Sequence, residues 1–234
     1  MIEPWWKANA EEKASVGAAL QRHAPLMRLV EEDDSLVARG PFDLMHDGQL
    51  LARFLIEVHF EPETSATAHA IIETGGRIPR ELDRHINTNG TCCIGVYGEW
   101  ELTSADTRFS TFLTGPVRDF FLSQLHFEAH GVWPFDQRAH GLPGMIESYA
   151  ELLGVGNDED IVADTLAYLR LVETKGHWHC PCGSGAPLRR CCRARLAALK
   201  EKWSLAGVEK LWGHYLKLKQ ALKSDGKEHQ FSKT

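Results

Sequence analysis

Several features that would decide the class of this chain outright are missing from it. No apolar run approaches the roughly 18 to 20 residues a helix needs to cross a bilayer. There is no internal repeat, no Gly-X-Y period, no sustained heptad and no low-complexity tract, which excludes fibrous and repeat architectures. The opening MIEPWWKANAEEK lacks the basic-then-apolar layout of a secretory leader. No Gly-rich nucleotide loop follows a strand, so ATP chemistry has to come from elsewhere or be dispensed with. These absences predict a cytoplasmic protein without a membrane partner. What is present is 234 residues, 43% hydrophobic and 25% charged. That suffices for one ordinary domain with a sizeable core and a smaller appendage.

The net charge of −6 is unevenly spread. From Lys175 to Thr234 there are 13 Lys and Arg against 4 Asp and Glu, a surplus of nine, which leaves the first 174 residues at −15. A basic appendage on an acidic body suits contact with an acidic surface, and it equally serves solubility. The acidic body argues against nucleic acid as the main partner.

Periodicity sketches the order of elements. Val16, Ala19 and Leu20 recur at helical spacing up to a break near Pro25. Ala52, Phe54, Ile56, Val58 and Phe60 alternate with Arg53, Leu55, Glu57 and His59, the pattern of a strand with one buried face. Residues 69–73 read as the next strand, followed by breakers at Gly75, Gly76 and Pro79 and by a loop that turns at Asn89-Gly90. Phe109 to Leu125 carries a helical stripe that Pro116 starts or kinks. A helix over Met145 to Leu153, a boundary at VGNDED, a connecting helix around Ile161 to Val172 and a Lys-rich helix from Leu196 to Leu222 complete the chain.

Six cysteines fall into two groups. In a reducing compartment such clusters bind metal or do chemistry more often than they form disulfides. In HWHCPCGSGAPLRRCCRAR the spacing is Cys-x-Cys, eight residues, then Cys-Cys, with a Gly-Ser-Gly turn between the pairs. Four thiolates so placed suit a closed tetrahedral zinc site. The stretch from Trp178 to Arg193 resembles the SEC-C motif, a small zinc-binding module of bacterial proteins. The resemblance implies Cys180, Cys182, Cys191 and Cys192 as ligands of a structural Zn2+, with His177 and His179 flanking it. Arg189, Arg190, Arg193 and Arg195 give the module a basic rim.

The second group lies in DRHINTNGTCCIG. A thiol on a loop is a candidate nucleophile, although isolated cysteines usually serve as small hydrophobes. His85-Ile86-Asn87, Asn89-Gly90, Cys93 and Trp100 follow one another as the His-Pro-Asn, Asn-Gly, Cys and Trp of ubiquitin-conjugating enzymes do, and the chain resembles that family. Ile86 stands where the eukaryotic motif has proline, and the Asn-to-Cys segment is shorter. GGRIPRELDRHINTNGTCCIG with GVWPFDQRAHGLPGMIESYAELLG is more similar still to bacterial relatives found in antiphage defence operons of the CBASS type, some beside cGAS-like nucleotidyltransferases.

The resemblance implies an α+β fold: a UBC-like antiparallel meander with flanking helices over residues 1–155. A connecting helix at 156–175, the zinc module at 176–195 and a basic helical tail at 196–234 would follow. It implies a thioester on Cys93, with Asn87 holding the loop or donating to the oxyanion and His85 fixing the loop or acting as general base. Cys92 and Cys93 are neighbours on extended chain and point to opposite sides. We assign the outward side to Cys93. The implied partners are a protein with a C-terminal glycine or similar carboxylate, a separate activating enzyme and a cGAS-like nucleotidyltransferase. An inactive UBC-like adaptor that docks a partner through its zinc module and basic tail is the alternative. His126, His130 and His140 form a third cluster, with a metal or acid–base role set against simple turn-shaping by His140.

Overall fold

The computed structural model describes residues 3–32, 35–62 and 69–231, with residues 69 and 224–231 described by their backbone. Its elements run α1 (Trp5–Ala8), α2 (Ala10–His23), β1 (Arg28–Glu32), β2 (Ser35–His46), β3 (Gln49–Phe60), β4 (His69–Glu73), α3 (Tyr97–Thr103), α4 (Phe109–Phe112), α5 (Arg118–His130), α6 (Leu142–Leu153), α7 (Glu159–Arg170), α8 (Arg193–Lys202) and α9 (Leu205–Phe231). The protein is therefore α+β. No helix among the described residues is long and apolar enough to cross a membrane. The last three residues of the expected basic tail lie outside the described residues.

Two compact units share the chain, one formed by Met1–Gly95 with Ser104–Asp136 and the other by Val96–Thr103 with Gln137–Thr234. In the first, the Asn9 side chain accepts the Glu12 amide at 3.1 Å and so starts α2. The helix ends at His23 because Ala24 precedes Pro25, and a residue before proline is pushed out of the helical region. The four strands form an antiparallel sheet in the order β1-β2-β3-β4. Asp47 and Gly48 both take positive φ, 48° and 77°, which gives the β2–β3 turn the twist of its strands.

The alternation read in β3 sets its faces: Ala52, Phe54, Ile56, Val58 and Phe60 are buried, while Arg53 and Leu55 are exposed. β2 carries Gly40-Pro41, a pair that reads as a breaker yet lies inside a twelve-residue strand. Gly40 has φ of 137°, and a Cβ there would sit 2.8 Å from the Leu26 carbonyl oxygen. Pro41 lies beyond Arg39, the last β2 residue that β1 pairs, so its missing amide falls where β3 alone is the neighbour. Phe121 of α5 packs on Phe54 at 4.5 Å and Phe42 at 5.7 Å, and Phe109 meets Phe60 at 5.3 Å. Between α4 and α5, Leu113–Val117 widens into a π-helical turn around Pro116. Proline has no amide to give and crowds the preceding turn, so the helical path bulges there and continues.

In the second unit, Ile146, Tyr149 and Leu153 of α6 share a core with Val162, Leu166 and Leu169 of α7 and with Val208, Leu211 and Tyr215 of α9. The boundary expected at residue 155 would group α6 with the sheet, but its apolar face packs into this second core. α3 joins the same core through Gly98, where a Cβ would lie 2.7 Å from the Tyr149 hydroxyl and 2.9 Å from His214 Nδ1. The Lys-rich helix expected over Leu196 to Leu222 is split in two. Trp203 is extended and buried, and the Ser204 hydroxyl accepts the Gly207 amide at 3.1 Å to start α9.

Phe54 is 1% exposed at the centre of the sheet, and the Arg77 guanidinium covers its ring at 4.8 Å. Replacing Phe54 with Ala is expected to cost about 3 to 5 kcal/mol, read as a fall in the urea midpoint of the first unit's transition.

Candidate functional site

The loop between β4 and α3 is more regular than its sequence suggests. Leu82–Arg84 forms a 3-10 turn closed by the His85 amide on the Leu82 carbonyl at 2.8 Å, and His85 takes the left-handed conformation, φ 52°. From there the chain doubles back. The Asn87 amide donates to the Thr91 carbonyl at 2.8 Å, the Gly90 amide to the Asn87 carbonyl at 2.8 Å, and the Cys93 amide to the His85 carbonyl at 2.7 Å. Ile86 pairs with Cys92, and the Cys92 amide reaches the Ile71 carbonyl of β4 at 2.7 Å. The loop is thereby stitched to the edge of the sheet.

Alternation along this short ladder separates the two sulfurs. Ile86 and Cys92 face the core, with Cys92 6% exposed, and Cys93 is half-buried. Burial, more than any other cause, pushes the Cys92 thiol up to about 12. Because that folded value lies above the ordinary 9.0, the stability it contributes is complete below pH 9 and is lost as pH rises toward about 12. Asn87 lies opposite Thr91 and donates from Nδ2 to its hydroxyl at 3.0 Å, while that hydroxyl donates to Asn89 Oδ1 at 2.7 Å. Asn87 is thus part of the loop's own bonding.

His85 lies against aromatic rings. Trp133 meets it edge-on with centroids 4.6 Å apart, Phe135 lies at 6.3 Å, and Trp133 in turn packs on Phe127 of α5 at 4.7 Å. Trp133 and Phe135 were missed as site residues, although the VWPF run that follows α5 carried an aromatic signal. Arg84 and Gln124, which are bonded to each other, were missed as well, because each reads as an ordinary surface residue. Trp100 lies in α3 and tilts against Tyr97 at 5.5 Å. The rings of His126 and His130 meet one helical turn apart at 4.5 Å, and no described group of three or more metal-ligating side chains includes them. His140 is half-buried in the second unit.

The other cysteines converge in that second unit. The sulfurs of Cys180, Cys182, Cys191 and Cys192 all lie within 4.8 Å of one another. Cys182 is 3.3 Å from Cys180 and 3.4 Å from Cys191, and Cys191 is 3.7 Å from Cys192. A tetrahedral zinc with bonds of about 2.3 Å sets its sulfurs about 3.8 Å apart, so the four fit such an ion. A knuckle brings them together: the Cys180 amide donates to the Ala186 carbonyl at 3.0 Å and the Leu188 amide to the Trp178 carbonyl at 2.8 Å, while Cys192 takes the N-cap position of α8. Ser184, by its hydroxyl foremost, draws the Cys182 thiol down to about 6, and burial raises Cys180 and Cys192. His177 and His179 are exposed and are not in this group. Four protein ligands would close the ion off from substrate.

No family model matches the chain, and neither a curated protein nor a solved structure matches it.

Metal analysis of the purified chain is expected to find about one zinc, which Cys182→Ser sharply lowers while the strand signal in circular dichroism persists. Affinity should fall as pH falls, because protons compete for the sulfurs. Near neutral pH, iodoacetamide should label Cys93 and spare Cys92, as read by peptide mass spectrometry.

Proposed function

We propose that the chain is an acyl carrier of the ubiquitin-conjugating type, with the Cys93 sulfur as the atom that holds the acyl group. The observation that carries this reading is a partly exposed cysteine, Cys93, on a tightly bonded loop, beside a second cysteine that is buried. A four-stranded antiparallel meander with flanking helices is compatible with the UBC-like fold. His85, Asn87, Cys93 and Trp100 supply the order of residues that the family uses.

In the first transfer the Cys93 thiolate attacks an activated carbonyl at a protein C-terminus ending in glycine or a similar carboxylate. The C–S bond forms, and the activating group, a phosphate ester or a thiolate supplied by a separate activating enzyme, leaves with the bonding pair. In the second, a protein amine attacks the same carbon. The C–N bond forms, the C–S bond breaks, Cys93 recovers its electron pair, and the ammonium proton passes to solvent. One Nδ2 hydrogen of Asn87 is committed to Thr91. The other is the hydrogen we assign to an oxyanion, a donation worth roughly 3 kcal/mol in enzymes that use it. The ring contacts of His85 favour a positioning role over that of general base.

A structural Zn2+ on the four sulfurs would close the second unit without entering the chemistry. The setting we propose is the cytoplasm, in a defence operon of the CBASS type whose nucleotidyltransferase is a candidate partner, with no membrane or nucleic acid required.

Expressed with the proteins encoded beside it, the chain should give a larger species on a non-reducing gel that added thiol removes. Cys93→Ala should abolish it, Cys92→Ala should retain it, and Cys93→Ser should replace it with an ester that resists thiol. A modified product that survives both alanine substitutions would favour the adaptor.

A further inference from the structure

Gln124 is an anomaly in α5. It is fully buried, at 0% exposure, in a helix whose neighbouring inward positions are phenylalanines. A buried amide costs free energy unless its polar atoms are bonded, so an apolar residue would fill that space more favourably. All of its described hydrogen bonds go to one residue. Its oxygen accepts from Arg84 Nε at 3.2 Å and Nη2 at 2.8 Å, and its nitrogen donates to the Arg84 backbone carbonyl at 2.9 Å. The guanidinium is held from its other sides too. It lies over the Phe127 ring at 4.8 Å and 3.9 Å from Glu128, with the side chain 13% exposed.

Side chain and main chain of Arg84 are therefore gripped at once, which fixes the orientation of the Arg84–His85 peptide. His85, the next residue, holds a left-handed conformation, φ 52°, that a residue with a Cβ adopts only against its steric preference. Such a conformation persists only where its surroundings over-determine it. The carbonyl of His85 receives the Cys93 amide. We propose that Gln124 is a positioning residue for Cys93, acting through Arg84 and the left-handed turn at His85. The functional part of this inference rests on the reading of Cys93 as the acyl carrier.

The test uses the full, metal-loaded chain with no acyl donor. Amide hydrogen exchange at Cys93 and peptide-resolved alkylation of Cys92 and Cys93 across pH are compared for wild type, Gln124→Leu and Gln124→Glu. In Gln124→Leu, with metal content and helix signal unchanged, exchange at Cys93 should rise about fivefold or more, the loss of about one net hydrogen bond. The Cys93 alkylation profile should shift with pH, and Cys92 should begin to label. Gln124→Glu keeps an acceptor for the guanidinium and loses the donor to the carbonyl, so at pH 8 it should fall between the two. Wild-type exchange and alkylation in a folded Gln124→Leu chain would overturn the proposal. If that variant does not fold, Gln124→Glu carries the test, and wild-type exchange at Cys93 in it would overturn the proposal equally. Since no donor is present, these readings do not depend on whether a thioester forms, which the gel experiment on wild-type protein decides separately.

Discussion

The pairing of Ile86 with Cys92 is the constraint on which the reading of the thiol loop depends. Side chains alternate strictly across a ladder, so burying Ile86 and Cys92 leaves Asn87 and Thr91 on the other side and Cys93 outside the core. A slip of one residue would bury the wrong sulfur and bring the Asn87 amide into an apolar layer, at the cost of desolvating it. The bond from the Cys92 amide to the Ile71 carbonyl ties that register to the edge of the sheet. The loop therefore inherits its geometry from β4 and does not have to maintain it by turn chemistry alone.

In the second unit the corresponding constraint is convergence of four sulfurs. Cys180 and Cys192 belong to the same buried cluster as Leu188, Leu196 and Leu199, so the candidate metal site and the apolar core share residues. A knuckle of this length has too little surface to bury for independent stability, and an ion bound by the four sulfurs would supply free energy that packing does not. Cys192 also occupies the N-cap position of α8, which couples ligation to the start of a helix. Exposed Arg189 and Arg190 remain on the rim, where solvent screens them and where they contribute to solubility or contact in preference to stability.

What could be read from the sequence follows the range of each signal. The β3 alternation and the spacing of the four cysteines are local patterns, and both were legible. β2 was not read, and the Gly40-Pro41 pair inside it is tolerated only because of where β1 stops pairing, which is a property of the fold. The helix over Met145 to Leu153 was legible but the core it joins was not, because a local helical signal does not name the surface it meets. Gln124 reads as a polar position on a helix, and only the fold brings Arg84 to it. The choice between Cys92 and Cys93 likewise needed a pairing partner, since adjacency alone says that they diverge without saying which one faces in.

For an acyl carrier, a second sulfur next to the loaded one is a hazard. A neighbouring thiolate could take the acyl group in a nearly isoenergetic exchange, or, when the carrier is empty and an external disulfide serves as oxidant, close a strained disulfide with it. Both reactions need Cys92 ionised and close to the Cys93 sulfur. Burial acts against the first requirement by holding the Cys92 thiol protonated up to about pH 12, and the ladder acts against the second by turning its side chain to the opposite face. The same core contact that presents Cys93 thus removes its nearest competitor. On the carrier reading, the adjacent pair is consistent with a single working sulfur, in which Cys92 serves as a small buried hydrophobe and Cys93 alone meets the substrate.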